Sequence, residues 1–383
     1  MAGVAELLDR KRVCICAGSG GVGKTTSSAA IAAGMAARGK KVAVLTIDPA
    51  KRLADSLGLK ELDNTARRVD PKLFAKQGIE IKGELWAMML DAKATFDELI
   101  ARQAPDEESR DRVLNNRIYQ QISNALAGSQ EYMAMEKIFE LHTEGEYDLL
   151  VLDTPPARNA LDFLDAPRRL TQFIEGRSLR VFMRPTGFAA RVAGRGASVA
   201  LSVLRRIVGF DLLADLSEFF TAMSGMVEGF QERAKRVNEL LAAPSTSFLV
   251  VCGPQGEPIS EAVYFHRKLV EARLPFGGVI VNKVHIIGDG DAADGAGLRA
   301  ELREVLGDEK LADRVAENFA DFEALAERDA RNIDHLAAEL RTSSVIRVPY
   351  LDEDVHDLAG LDRINRYLFA RGRERRRARL KAA

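Results

Sequence analysis

A glycine-rich segment near the N-terminus has the spacing of a phosphate-binding loop. Residues Gly18 to Thr25 read GSGGVGKT and fit the pattern G-x-x-x-x-G-K-[ST]. Glycines let backbone N–H groups come close to phosphate oxygens, and Lys24 adds a compact positive charge. A hydroxyl such as that of Thr25 can ligate a Mg²⁺ ion that bridges phosphates. The segment therefore predicts binding of a nucleoside triphosphate with Mg²⁺.

The segments around this loop are those that must position it. An apolar run from Arg12 to Ala17 comes before it, and a helical pattern from Lys24 to Arg38 follows, with Gly39 as its stop. A second apolar run, Val42 to Ile47, comes next. The alternative is a glycine-rich turn that binds nothing, and this strand, loop, helix and strand context argues against it.

Further apolar runs that end in turn residues predict more strands. They are Leu85–Leu90, Tyr147–Leu152, Phe248–Cys252, Val279–Asn282 and Val345–Val348. Runs without alternation, separated by helices, are typical of a mostly parallel sheet with helices on both faces. We expect an α/β fold of the P-loop NTPase type with about seven strands.

Two long stretches, from Ala92 to Leu141 and from Ala157 to Ala243, have helical patterns and no strand. They predict a helical subdomain inserted into the fold. The expected division is a nucleotide-binding core of residues 1–91, 142–160 and 244–383, and a helical subdomain of residues 92–141 and 161–243.

Three motifs together resemble the ArsA family of dimerising ATPases, whose phosphate loop deviates from the usual pattern. They are Gly20 to Thr26, Thr46 to Ala50 (TIDPA) and Asp153 to Pro156 (DTPP). The family includes arsenite-pump ATPases and ATPases that guide tail-anchored membrane proteins. The resemblance covers most of the chain and implies that ATP and Mg²⁺ are bound. The nucleotide-binding residues it implies in the loop are Gly20, Gly21, Val22, Gly23, Lys24, Thr25 and Thr26.

Two aspartates at strand ends have the roles that this chemistry requires. Asp48 ends the strand next to the phosphate loop, and we assign it to orient, or take a proton from, the water that attacks the γ-phosphate. Asp153 would hold Mg²⁺, directly or through water, together with Thr25. The segments that follow, Pro49 to Gly58 and Thr154 to Leu164, would be switches that sense the γ-phosphate. Either aspartate alone could instead cap a helix.

The resemblance also places two residues at the nucleotide base. Asn282 matches the adenine-reading position, where an amide can pair with a purine edge. Pro349 lies in the segment that lines the other side of the base. An asparagine after a strand is, by contrast, often only a turn former.

Ser19 departs from the family pattern. The family has a second lysine there, which reaches across the dimer to the partner's nucleotide, and a hydroxyl cannot extend a cation that far. Another cation such as Lys51, Arg52 or Arg158 could substitute, or slow turnover could be tolerated. We favour a third hypothesis, a heterodimer with a lysine-bearing paralogue, over a homodimer.

The cysteines and histidines indicate what the chain does not bind. Cys14, Cys16 and Cys252 fall in predicted core strands, so a thiol cluster for a metalloid is not expected, and the five histidines are too scattered for a zinc site. Three cysteines are a poor basis for disulfides, which favours a reducing cytosol. The net charge of -1 gives no field that would recruit nucleic acid.

The helical insert and the C-terminal tail leave alternatives open. Apolar residues between Phe210 and Phe230 recur on one helical face, which is either subdomain core or a groove for an apolar client helix. The segment from Gly176 to Phe210 carries seven arginines and no acid, so it suits peripheral membrane contact or a solvated surface. The basic tail, residues 370–383, is expected to be disordered.

The leading functional hypothesis is an ATP-gated carrier of apolar or membrane-protein segments. The alternatives are an energising subunit of an anion transporter and a ParA/MinD-like positioning ATPase.

Overall fold

A single eight-stranded sheet forms the centre of the molecule. The computed structural model describes residues 3–48, 51–117, 119–120, 130–155, 218–219, 221–287, 295–355 and 357–370. The strands are β1 (Val13–Ala17), β2 (Lys41–Thr46), β3 (Arg67–Arg68), β4 (Glu84–Met89), β5 (Leu149–Asp153), β6 (Thr246–Cys252), β7 (Phe276–Val284) and β8 (Val345–Pro349). Their order is β3-β4-β2-β5-β1-β6-β7-β8, and only β3 and β4 pair antiparallel.

Helices cover both faces of this sheet. They are α1 (Val4–Leu7), α2 (Lys24–Ala37), α3 (Arg52–Ser56), α4 (Pro71–Ala75), α5 (Ala92–Gln103), α6 (Glu107–Leu114), α7 (Gln130–Glu144), α8 (Val227–Ala242), α9 (Gly256–Glu271), α10 (Gly295–Leu306), α11 (Glu309–Glu339) and α12 (Leu358–Leu368). Side chains alternate along a strand, so Ile15 of β1 packs into one core, with α5, α7, α8 and α9. Its neighbour Cys16 packs into the other, with α2 and α12. The predicted α/β fold is confirmed.

The seven predicted apolar runs all coincide with strands, and two features differ from expectation. The eighth strand, β3, is a pair of exposed arginines that joins the sheet only through β4. In addition, Asp48 does not follow the strand next to the phosphate loop. The neighbours of β1 are β5 and β6, and β5 separates β1 from β2, so Asp153 rather than Asp48 ends a strand beside β1.

Part of the predicted helical subdomain is described. Residues 92–141 contain α5, α6 and most of α7, and α8 lies near the end of 161–243. Residues 156–217 lie outside the described residues, together with the arginine-rich segment and most of the second switch, and so do residues 371–383 of the tail. None of the helices in the described ranges has the length and apolarity needed to cross a bilayer.

The described residues of the predicted apolar face lie in the core. Phe219, Met223, Met226 and Phe230 are all buried. The Phe230 ring stacks on Phe96 of α5 at a centroid distance of 6.2 Å. For these four residues the structure favours the interpretation as subdomain core.

An ion pair with little exposure joins two of these helices. Glu136 of α7 accepts a hydrogen bond from Arg233 of α8, and their side chains are 3% and 17% exposed. Burial raises the pKa of Glu136, and the Arg233 charge opposes this rise. The Arg233 guanidinium also lies over the Phe139 ring, 4.6 Å from its centroid.

We predict that Arg233→Met destabilises the protein by about 3–5 kcal/mol, since the buried carboxylate loses its counter-charge. Arg236→Met is the matched control on α8, because Arg236 pairs with Glu232 in solvent and should contribute below about 1 kcal/mol. Urea unfolding measures both variants. Burial of Glu136 costs less free energy when its carboxyl group is protonated than when it is ionised. The loss of stability in Arg233→Met should therefore be largest at neutral pH and should shrink as the pH falls. Equal losses for the two variants would contradict this.

Candidate functional site

The glycine-rich loop between β1 and α2 depends on two close approaches that exclude side chains. Gly18 has φ +155°, and a Cβ there would lie 2.0 Å from the Val251 carbonyl oxygen of β6. Gly23 has φ +93°, and a Cβ there would lie 2.2 Å from Nδ2 of Asn282. Only glycine fits either position, so the loop is held against the ends of β6 and β7.

Lys24 begins α2, and its ammonium group lies within the loop. Its Nζ donates a hydrogen bond to the Ser19 carbonyl oxygen at 2.6 Å. Burial lowers the pKa of Lys24, while the carboxylates of Asp153 and Asp48 oppose this effect. The ammonium group is thus partly removed from water and lies beside oxygens of the loop. A phosphate oxygen there would be a stronger hydrogen-bond acceptor than the Ser19 carbonyl oxygen.

Asp153, at the end of β5, is the buried centre of the site. Its Oδ2 accepts hydrogen bonds from the hydroxyl groups of Thr25, at 2.7 Å, and Thr46, at 2.9 Å. Its Oδ1 is buried without a hydrogen-bond partner among the described residues. Burial raises the pKa of Asp153 to about 6, although both hydroxyl groups oppose this rise. A free carboxylate oxygen next to the Thr25 hydroxyl fits a divalent cation, which would favour the ionised form.

Thr46 is a residue of the candidate site that the sequence analysis missed. Besides donating to Asp153, its buried hydroxyl accepts a hydrogen bond from the Asp48 backbone N–H at 3.2 Å. One hydroxyl thereby joins the Asp153 carboxylate to Asp48, directly before the predicted first switch. The motif Thr46 to Asp48 could have indicated this contact. Side chains alternate along a strand, so a hydroxyl at the end of β2 can reach the neighbouring strand.

A cavity of about 430 Å³ opens over the loop and α2. The predicted site residues that line it are Gly21, Gly23, Lys24, Thr25, Thr26, Asp48, Asn282 and Pro349. Asp153 does not line the cavity itself, because it lies behind the hydroxyl of Thr25. Gly20 and Val22 also lie outside the lining, Gly20 exposed to solvent and Val22 buried beneath the loop.

Asn282 has a role in the loop as well as a place in the cavity. Its Nδ2 donates to the Val22 carbonyl oxygen at 2.9 Å, and the residue is only 8% exposed. One N–H of the amide is therefore used by the loop, while the other N–H and the amide oxygen have the hydrogen-bonding capacity that the predicted pairing with a base edge requires. Across the cavity, Tyr350 follows Pro349 and stacks on His285 at 5.9 Å, an aromatic wall that was not predicted.

The charges around Ser19 bear on the missing lysine. The Ser19 hydroxyl donates to Glu261 of α9, an exposed acid beside the loop. Among the proposed substitutes, Arg52 lines the cavity, whereas Lys51 pairs with Glu61 at 3.9 Å. Arg158 lies outside the described residues.

Comparison with known proteins gives one family. The sequence model of the ArsA family, described as "Anion-transporting ATPase", matches residues 11–327. The match includes the loop, both aspartates and Asn282.

The chain is also similar to individual proteins of this kind. It is 24% identical over 372 residues to ATPase GET3 of Malassezia globosa, which covers 95% of this chain and 93% of that protein. It is 24% identical over 315 residues to ATPase GET3A of Arabidopsis thaliana, across 79% and 75% of the two chains. An Aquifex aeolicus protein named as a putative arsenical pump-driving ATPase is 27% identical over 280 residues. The matched region covers 71% of this chain and 63% of that protein.

We predict that Thr46→Val, which replaces the hydroxyl with a methyl group, raises the Mg²⁺ concentration needed to bind a nonhydrolysable nucleotide analogue about tenfold or more. The reason is that hydrogen bonds to charged groups contribute about 1.5–3 kcal/mol. Fluorescent-analogue binding during Mg²⁺ titration measures it. Thr46→Ser keeps the hydroxyl and should restore the wild-type value. An unchanged Mg²⁺ requirement in Thr46→Val would exclude this role.

Proposed function

The chain belongs to the ArsA family of anion-transporting ATPases, and we propose that it hydrolyses Mg·ATP as a dimer in order to bind and deliver apolar segments of membrane proteins. ATP hydrolysis itself follows from the family and from relatives that are named as ATPases. The observation that supports the mechanism best is the continuous hydrogen-bonded chain from Thr25 through Asp153 and Thr46 to Asp48.

The phosphates would be held by the loop and the start of α2. Backbone N–H groups and the dipole of this 14-residue helix favour negative charge at the loop. The Lys24 ammonium would move from the Ser19 carbonyl oxygen to β- and γ-phosphate oxygens. Thr25 and Asp153 would hold Mg²⁺, which neutralises charge on the phosphates during transfer.

Asp48 would act on the attacking water. It lines the cavity, and its carboxylate lies close enough to Lys24 to affect the pKa of that lysine. The Asp48 backbone is hydrogen-bonded to Thr46, and Thr46 is hydrogen-bonded to Asp153. A change in the Mg²⁺ bound at Asp153 would therefore shift the start of the first switch. Through this connection nucleotide state would reach the helices that follow, and we propose that the helical subdomain moves as a result.

The cargo is proposed from the chemistry of the chain. All three cysteines are free and buried in β1 and β6, so no thiol faces a soft anion such as arsenite. The absence of an accessible thiol favours the delivery hypothesis over an arsenite-type transporter. We propose the cytosol as the place of action. A client groove would have to lie outside the buried cluster of Phe219, Met223, Met226 and Phe230.

A dimer would complete the charge balance of the site. We propose a heterodimer in which a paralogue contributes the lysine that this chain lacks at Ser19. Glu261, which accepts the Ser19 hydrogen bond, offers a carboxylate for that incoming cation. Arg52 in the cavity is the competing source of charge, and it would suit a homodimer.

We predict that Lys24→Ala lowers ATP turnover at least about 100-fold by weakening Mg·ATP binding, because it removes the charge opposite the phosphates. Asp48→Asn should still bind ATP but lose turnover by about 100-fold or more, as expected for loss of a general base. Isothermal titration and phosphate release separate the two effects. Normal turnover in Asp48→Asn would overturn the assignment.

The same Asp48→Asn variant tests the cargo. Held with ATP, it should retain an apolar transmembrane-type peptide helix that the nucleotide-free protein releases, as measured by fluorescence anisotropy. A polar helix of equal length is the control peptide. Equal binding of both peptides in both nucleotide states would contradict delivery while leaving ATP hydrolysis intact.

We predict that Ser19→Lys raises the ATPase rate of the purified chain alone, by up to about 10³-fold or more, since a cation donated in trans to a phosphoryl group contributes on the order of 10³–10⁵ in GTPases. Native mass spectrometry of the complex from its own host identifies the partner. A brisk homodimer that Ser19→Lys does not change, and that Arg52→Ala slows, would assign the charge to Arg52 and refute the heterodimer.

A further inference from the structure

The cavity wall at Tyr350 is supported from behind by a buried carboxylate of α11. Asp329 of this helix is 0% exposed. Its Oδ2 accepts hydrogen bonds from the His285 backbone N–H at 3.0 Å and from Nδ1 of the His285 ring at 2.7 Å. Its Oδ1 accepts a hydrogen bond from Arg328 at 3.0 Å. Because a carboxylate can only accept hydrogen bonds, Nδ1 carries a hydrogen, and the two contacts fix both the backbone and the ring of His285.

The His285 ring in turn packs against two aromatic rings. It stacks on Tyr350 with the ring planes 5° apart and the centroids 5.9 Å apart. The Phe322 ring contacts it edge-on at a centroid distance of 5.3 Å. Phe322 lies seven residues before Asp329 in α11, so both side chains are on one face of this helix. The helix therefore holds the His285 ring through a hydrogen bond and an aromatic contact, and Tyr350 packs on the ring so held.

The pairing of β7 with β8 brings His285 beside Tyr350. Val284 is paired with Pro349, and its carbonyl oxygen accepts a hydrogen bond from the Tyr350 backbone N–H at 2.9 Å. Tyr350 lines the cavity next to Pro349, at the end predicted to hold the base, and is 58% exposed. His285 thus covers one side of the ring, while more than half of the tyrosine stays open to a ligand.

We propose that Asp329 and His285 are positioning residues for nucleotide binding, which hold the Tyr350 ring as a stacking surface for the base. Neither of the two lines the cavity, so His285 acts through Tyr350 and Asp329 acts through His285. An exposed tyrosine loses rotamer freedom when it stacks on a ligand, and a ring that is already held has less freedom to lose. The inference rests on the proposed binding of a nucleotide in this cavity.

Stability alone does not account for a carboxylate at this position. A buried ionic contact is often no more stabilising than apolar residues of the same size. What the carboxylate adds is direction, because the hydrogen bond from Nδ1 fixes the orientation of the imidazole, which an apolar contact would not. The plane of Tyr350 then follows from the parallel stack on His285.

Stacking on Tyr350 would favour nucleotides over phosphates without a base. Aromatic side chains stack on a nucleic-acid base with little regard to which base it is, since every base has a π-face. The hydrogen bonds of Asn282 would then read the base edge, while Tyr350 contributes affinity through its ring. Loss of the support behind Tyr350 should therefore weaken binding of a nucleotide and leave the phosphate end as it was.

Isothermal titration of the full-length chain with Mg²⁺ and either a nonhydrolysable ATP analogue or tripolyphosphate tests the proposal. Both ligands carry three phosphates and only the first carries a base, so the ratio of their dissociation constants reports on the base end. Tyr350→Ala should lower the preference for the nucleotide about tenfold or more, because it removes the stacking ring. Tyr350→Phe keeps the ring and should restore the preference.

The variant His285→Asn tests the support behind the ring. Asparagine keeps an N–H donor for Asp329 and loses the imidazole, so the preference for the nucleotide should fall roughly three- to tenfold while tripolyphosphate binds as before. His266→Asn is the matched control, since His266 also contacts an aromatic ring, that of Phe276 at 4.6 Å, and does not line the cavity. It should leave the preference unchanged. An unchanged preference in His285→Asn, or an equal loss for both ligands, would overturn the positioning role.

A double-variant cycle tests the part of Asp329. Asp329→Asn alone should lower the preference for the nucleotide, and it should add nothing in a His285→Asn background, because Asp329 acts only through His285. Additive losses would refute that connection. A wild type that binds both ligands equally would overturn this inference alone, whereas a wild type that binds neither would overturn the proposed function as well.

Discussion

The buried carboxylate of Asp153 is the interaction on which the rest of the site depends. It stands at the end of β5, beside β1, and holds a hydroxyl from the helix after the loop and another from β2. Both hydrogen bonds favour the ionised carboxylate, whereas burial disfavours it, and the result is a pKa of about 6. Such a group is poorly satisfied by the protein alone, which suits a position that a cation completes.

This arrangement explains why β5 must lie between β1 and β2. A carboxylate at the end of the middle strand can accept a hydrogen bond from Thr25, after the loop, and another from Thr46 at the end of β2. The expectation that Asp48 ends the neighbouring strand was wrong for a reason that sequence order cannot reveal. Parallel strands joined by helices can be placed at several positions in a sheet, and the chain order alone does not decide which.

Much of the fold was predictable because the local sequence pattern of each segment agrees with the place that the segment takes in the folded protein. The unalternating apolar runs became strands of the sheet, and the central strands β1, β5 and β6 are buried on both faces. The loop motif became a turn with the glycine positions it requires. The strand β3 was not predictable, since two exposed arginines have no apolar pattern and are ordered only by pairing with β4. Thr46 and the Asn282 contact with Val22 were missed because they depend on which strands are neighbours.

The contact between Asn282 and the loop has a consequence for ligand discrimination. The amide of Asn282 fills the space that Gly23 leaves open and donates a hydrogen bond to Val22, so contacts within the protein itself fix the shape of the phosphate end. A preorganised phosphate-binding loop lowers the entropy cost of binding, and it does so equally for every molecule that carries phosphate groups, pyrophosphate and nucleotides included. Selection among these molecules cannot then come from the loop folding around the correct one. It would rest on the far wall of the cavity, which Pro349 and Tyr350 line.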